Sequence, residues 1–121
     1  MSKVARWIVG IVAALHVAFM GMEMFFWKSF ATQVAPLKPA IAEAPWELGF
    51  NQGLYNGFLA AGLVWSLLAS PPFNKQIAIF FLVCVLIAGI VGGLTIAYSI
   101  LASQSLLAAV GLIVLRAKRT S

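Results

Sequence analysis

Residues 76–115 carry no charged side chain and no proline. Such a stretch cannot clothe itself for water. At about 1.5 Å of rise per helical residue it is long enough to cross a bilayer twice. Two further apolar runs precede it, at about 4–27 and 48–68, the second closed by Ser70, Pro71 and Pro72. The chain has 121 residues, 63% of them hydrophobic and 9% charged, whereas soluble domains carry about 25% charged residues. A water-soluble domain is thereby excluded. The expectation is an all-α integral membrane protein, one domain over 1–121. It is a bundle of four transmembrane helices at about 4–27, 48–68, 76–97 and 101–115, with an external loop at 28–47 and a tight turn around 99–103.

The net charge of +5 would suggest nucleic acid or acidic partners in a soluble protein. Here the eight Lys and Arg fall almost wholly in the short segments between apolar runs, the placement that orients a membrane protein, so no nucleic-acid partner is expected. Cys84 stands alone inside an apolar run and makes neither a disulfide nor a metal site. The opening MSKVARWIVGIVAALH mimics a signal peptide, but its apolar run continues to Phe26 without a convincing small-residue cleavage site, which suits an uncleaved helix.

Four spans put the N-terminus, the second loop and the C-terminus on one side. That side holds Lys3, Arg6, Lys75, Arg116, Lys118 and Arg119, against Lys28 and Lys38 opposite. Positive residues favour the inner face, so both termini are expected in the cytoplasm of a bacterial inner (cytoplasmic) membrane, with the loop 28–47 outside. Glu43, Glu47 and prolines 36, 39 and 45 suit an extended or kinked external segment, with Trp46 at headgroup depth. No internal repeat is visible, which counts against a transporter.

Polar groups inside spans each need a reason, since a charge at the bilayer centre costs from about 2.5 kcal/mol upward. His16, Met20, Glu23 and Trp27 follow i, i+4, i+7, i+11 spacing and form one helical stripe. Lipid disfavours the carboxylate, so the stripe should face inward. Antiparallel threading then brings Glu23 near the outer end, level with Asn51 and Gln52, while Asn56 reaches toward His16 in the middle. Tyr55 shares a face with Asn51; Thr95 and Gln104 flank the outer turn between the last two spans. Gly49, Gly53, Gly57 and Ala61 form a small-residue strip for close helix approach, with Gly89, Gly92 and Gly93 as a candidate opposing surface.

Each of these features has a plain reading beside a functional one. The amides of Asn51, Gln52 and Asn56 serve either as interhelical hydrogen bonds, worth about 0.6 kcal/mol and at most about 2 each, or as the lining of a pocket. Glu23 is either an interfacial carboxylate held by water or Lys28, or a group that pairs with His16 or the amides and exchanges protons near neutral pH. His16 is either a neutral core histidine or Glu23's catalytic companion. The candidate site is therefore Glu23 and His16 for proton transfer, with Asn51, Gln52, Tyr55, Asn56, Trp27, Thr95 and Gln104 around a ligand. Met20, Met22 and Met24 beside a histidine invite a copper reading, but Met22 points away from the Met20 face. No metal and no cofactor is expected. Trp7, Trp46 and Trp65 are interface anchors, and Trp27 caps the stripe.

The segments HVAFMGMEMFFW at 16–27, NQGLYNGFLAAGL at 51–63, and AGIVGGLT at 88–95 followed by Gln104 resemble a family of small bacterial membrane proteins, domain of unknown function 1304. The resemblance covers nearly the whole chain and is most specific around Asn51, Asn56 and Gly57. The family has a Gly-Tyr-Gly-like element where this chain has Val91, Gly92 and Gly93, and often Pro-Ala where it has Ser105 and Leu106. The resemblance implies four membrane helices and a shared His, Glu and Asn signature, and carries no activity with it.

Three functions compete on the residues. The first is a site that binds or acts on an apolar molecule such as a lipid, quinone or isoprenoid, entering between helices. The second is a small proton-coupled transporter with a key glutamate on its first helix. The third is an accessory subunit packing through its glycine faces. A homo-oligomer is compatible with all three.

Overall fold

A computed structural model describes residues 1–34 and 37–117. Pro36, Lys118 and Arg119, which the sequence reading invokes, lie outside the described residues. Those residues form six α-helices and no strand: α1 (Lys3–Phe25), α2 (Trp27–Ser29), α3 (Pro39–Ala42), α4 (Trp46–Leu68), α5 (Phe73–Thr95) and α6 (Leu107–Arg116). A π-helical turn, Phe30–Val34, follows α2, and another, Leu101–Leu106, runs directly into α6. The fourth apolar run is thus one helix over Leu101–Arg116, joined to α5 by a short turn at 96–98; the turn expected around 99–103 is instead helical, because Ser99 and Ile100 already lead into that helix.

Local chemistry sets the boundaries. The Ser2 hydroxyl caps α1 by accepting from Ala5 N–H at 3.1 Å. Pro39 and Pro45 open α3 and α4, where a missing N–H costs nothing. Pro71 and Pro72 separate α4 from α5. In the long first loop the kinked alternative holds and the extended one does not: its described residues are largely helical, in short pieces, and Phe30 and Ala31 are buried. α1 also ends earlier than the apolar run suggests: Phe26 leaves the helix at φ −136°, ψ 40°, and Trp27 begins a new turn.

α1 packs chiefly on α4, α4 on α5, α5 on the 101–116 helix, and α6 returns to α1. The glycines show the register. A Cβ on Gly49 would strike the Trp27 ring, one on Gly53 would lie 2.9 Å from the Met20 carbonyl oxygen, one on Gly57 would meet the Met20 sulfur at 2.7 Å, and Gly10 faces Leu67. Numbers rise on one helix as they fall on the other, so the pair is antiparallel. The α4 strip therefore opposes α1, not the α5 glycines; Gly89, Gly92 and Gly93 instead admit Ser105, Ile100 and Leu101 of the following helix. Ala61 is exposed, and Ala60 is the buried member of that turn.

The apolar core lies toward the end where α1 starts and α6 finishes, built from Val9, Val12, Leu63, Leu82, Val85 and Leu115 with small alanines between them. The exterior is apolar too: Ile11, Phe80, Ile87, Leu94 and Ile113 are all half exposed or more, and Val17 is close to half. α1 and α5 are long and apolar enough to cross a bilayer, yet only 28% of each apolar stretch is buried inside the protein. A soluble protein's core helix would be mostly covered. α4 has the same length but carries Glu47, Asn51, Gln52 and Asn56.

Gly53 meets backbone that cannot step aside, whereas nothing lies within 4 Å of a Cβ on Gly21. Gly53→Ala should therefore lower unfolding stability in detergent by about 1–3 kcal/mol, while Gly21→Ala should leave it unchanged or raised. Equal effects of the two would contradict this helix register.

Candidate functional site

The inward face of α1 carries Val9, Val12, Ala13, His16 and Glu23, all buried. His16 caps the apolar core with no exposure to solvent. Its Nδ1 lies 2.8 Å from the Val12 carbonyl oxygen. A carbonyl can only accept, so Nδ1 carries the proton and, in the neutral ring, Nε2 keeps a bare lone pair. That Nε2 is the one buried side-chain N or O among the described residues without a hydrogen-bond partner.

Two turns further along, Glu23 is 5% exposed and accepts a hydrogen bond from Asn56 Nδ2 at 2.7 Å. Asn56 is itself buried on α4, one residue before Gly57 and three after Gly53. The glycines bring the α4 backbone against Met20 and Met24, and this close approach lets a short Asn side chain reach the carboxyl group. No other hydrogen bond reaches Glu23 among the described residues. The seven-residue spacing puts His16 roughly 10 Å along the axis from Glu23. The two do not pair, and Asn56 serves Glu23 rather than His16.

Aromatic rings continue the site outward. His16 meets Phe19 edge-on at 5.8 Å between centroids, Phe19 meets Phe30 at 6.2 Å, and Phe30 meets Trp27 at 6.3 Å. The break at Phe26 lays the Trp27 indole over Gly49, and its Nε1 donates to the Ala44 carbonyl oxygen at 3.1 Å. Beyond Trp27 lies an open groove of about 970 Å³, walled by Phe25, Phe26 and Trp46 with Lys28 and Glu43 on its lining. Trp27 thus lies along both the groove and the α1–α4 seam that holds Glu23.

Of the residues expected around a ligand, the structure gathers Glu23, Asn56 and Trp27 along this seam, with His16 deeper on the same face. It does not gather the others. Asn51, Gln52 and Tyr55 are exposed: Asn51 and Tyr55 lie across the helix, about 160° and 200° round from the glycine face that meets α1, and Gln52 lies on its flank, about 100° away. Thr95 is exposed and returns its hydroxyl to Val91 O at 2.6 Å. Gln104 is half-buried against Gly89 on the α5 side. Sequence reasoning missed Phe19 and Phe30. Phe19 follows His16 by three residues and was within reach of the helical wheel; Phe30 enters only because the loop folds inward. Among the described residues, no cluster of three or more His, Cys, Asp or Glu could hold a metal.

The carboxyl–carboxamide contact has a measurable signature. Asn56→Leu, which strands the buried Glu23, should cost about 1–3 kcal/mol of unfolding free energy; Glu23→Gln, which keeps an acceptor oxygen, should cost less. Glu23→Leu combined with Asn56→Leu should cost less than the two single changes together, since neither polar group is then left alone. Strict additivity would mean that the contact contributes nothing.

Comparison with known proteins finds no matching curated protein and no matching solved structure. One family model, described as "Protein of unknown function (DUF1304)", matches residues 10–116, a span that takes in every residue of the candidate site. The chain belongs to the DUF1304 family.

Proposed function

We propose that this chain is a small protein of the cytoplasmic membrane, a bundle of four transmembrane helices. It binds an apolar, lipid-, quinone- or isoprenoid-like molecule by its polar end at Glu23 and Asn56. The membrane reading is supported by the apolar exterior, by the two long apolar helices, and by the length of α4 and of the 101–116 helix. Lys3, Arg6, Lys75 and Arg116 belong to the end where α1 starts and α6 finishes, while Lys28 and Lys38 belong to the other. The positive excess favours that first end as cytoplasmic. Glu23 then lies in the outer half of the bilayer, and the groove past Trp27 opens at headgroup level.

The observation that carries the ligand reading is the single hydrogen bond to Glu23. A carboxyl group inside an apolar bundle is costly, and packing alone would be served better by an apolar side chain. One amide satisfies one oxygen. The other carboxyl oxygen and the Asn56 carbonyl remain to meet a hydroxyl or amine. A carboxyl group held in a largely apolar seam can exchange a proton with such a group, which is the step a proton-transfer activity would use. His16 Nε2 offers a second acceptor, deeper in the same face. The aromatic path from Phe19 through Phe30 to Trp27 suits a flat or branched apolar body.

Gentle purification followed by mass spectrometry of co-extracted small molecules tests this directly. The wild-type protein should retain one apolar species in stoichiometric amount. Glu23→Gln and Asn56→Leu should lose it while keeping their helix content, and Tyr55→Phe, on the outer face, should retain it. A ligand-free wild-type protein, or retention indifferent to Glu23 and Asn56, would sink the reading. The threading has its own check: in intact cells an impermeant thiol reagent should label Glu43→Cys and spare Lys75→Cys.

A further inference from the structure

The end of the molecule where α1 starts carries a charge pattern that the site at Glu23 does not use. Lys3, Arg6, Lys75 and Arg116 all belong to that end, whereas Glu23, Glu43 and Glu47, the only acidic side chains of the chain, belong to the other half. α1 turns Ala5 and Val9 into the core and leaves Lys3, Arg6 and Trp7 outside, one face at i, i+3, i+4 spacing. Between this face and the last turn of α4 lies a shallow cavity of about 290 Å³, lined by Lys3, Arg6, Trp7 and Leu67.

Arg6 is fixed at that cavity. Its Nη2 donates to the Leu67 carbonyl oxygen at 3.0 Å, in the last turn of α4, where carbonyls have no partner within their own helix. That bond uses one N–H of the guanidinium, and a fork of five leaves others to meet an acceptor. It gives no reason for Lys3, whose ammonium makes no hydrogen bond among the described residues. Two cations three residues apart on one helix repel each other, and an anion between them removes the penalty. The groove at the opposite end differs, since Lys28 shares its lining with Glu43.

The position of the cavity selects the anion. Trp7 and Leu68 are both more than two-thirds exposed, and in the threading proposed above they lie at the inner leaflet. The anions gathered at that surface are phospholipid phosphates. A planar guanidinium matches two phosphate oxygens and an ammonium can take a third. The cavity is at the small end for a ligand pocket, so it suits a headgroup phosphate, with the acyl chains left in the bilayer. An ethanolamine headgroup would bring an ammonium that finds no carboxylate side chain at this end. We propose that Lys3 and Arg6 seat the phosphate of an anionic phospholipid of the inner leaflet, between the first turn of α1 and the last turn of α4. The site rests on the membrane threading and not on the ligand at Glu23.

Native mass spectrometry of the full chain, released from micelles containing equal phosphatidylglycerol and phosphatidylethanolamine, tests it. The wild-type protein should keep one phosphatidylglycerol in preference. Lys3→Gln and Arg6→Gln should each weaken that retention about fivefold. Lys75→Gln and Arg116→Gln remove the same charge from the same end but outside the cavity, and should weaken it by less than about twofold. Lys3→Gln should leave unfolding stability unchanged, which separates lipid binding from the bond that Arg6 makes to α4. Glu23→Gln should keep the phospholipid. Equal loss in all four charge variants, equal retention of the two lipids, or displacement of the lipid by inorganic phosphate would overturn the site. Recovery of the chain in the soluble fraction would instead overturn the membrane threading itself.

Discussion

A buried carboxyl group dictates what must surround it. Glu23 is held on α1 among Met20, Met24 and the α4 glycines, and the Asn56 amide is its one hydrogen-bond partner among the described residues. Asn is short, so the bond requires the α4 backbone to stand close to α1. That closeness is possible only because Gly53 and Gly57 present no side chain at the contact; a Cβ at Gly53 would press on the Met20 carbonyl oxygen. The polar contact and the glycine strip are one device. The strip brings the backbones together, and the hydrogen bond fixes which residue of α4 stands opposite Glu23.

Most of the helical architecture was readable because it follows from length and apolarity. The ends of α4, α5 and the 101–116 helix fall within a few residues of where proline, charge and apolar run place them. Two features were not readable. The exit of the chain at Phe26 leaves no mark in a sequence where Phe25, Phe26 and Trp27 all suit a continuing span; it follows from seating the indole on Gly49 and its N–H on the Ala44 carbonyl. The inward fold of 27–34 was hidden for a similar reason. Phe30 and Ala31 read as ordinary loop residues until the rings of Phe19 and Trp27 are there to meet them.

The site was legible in part, and the boundary is instructive. Periodicity correctly put His16 and Glu23 on one inward face, because seven residues make two turns. It could not say which amide of α4 would reach Glu23. Asn51, Gln52 and Asn56 all look alike to a composition argument, and depth alone favoured Asn51 and Gln52. The choice is made by rotation, not depth. Gly49, Gly53 and Gly57 define the face that meets α1, Asn56 lies beside Gly53 and Gly57 on that face, and Tyr55 lies across the helix from it. Reading the glycine strip against the first helix instead of the third would have selected Asn56 over its neighbours.

Cohesion and polarity occupy opposite ends of the molecule, and this separation bears on how the proposed ligand would reach Glu23. Val9, Val12, Leu63, Leu82 and Val85, with Ala108 and Leu115 of the fourth helix, knit all the main helices together below His16. Above it, α1 and α4 touch through methionine and glycine, the fourth helix begins with a π-helical turn, and the covering layer is a loop anchored by Phe30 and Trp27. Parting the outer ends of α1 and α4 gives up flexible methionine contacts and a few edge-on aromatic ones. It leaves the apolar core untouched. Local opening free energies follow the density of buried contacts, so the outer seam is the part of the bundle that opens at least cost. The same packing that buries the carboxyl group therefore also sets it where the bundle opens most readily.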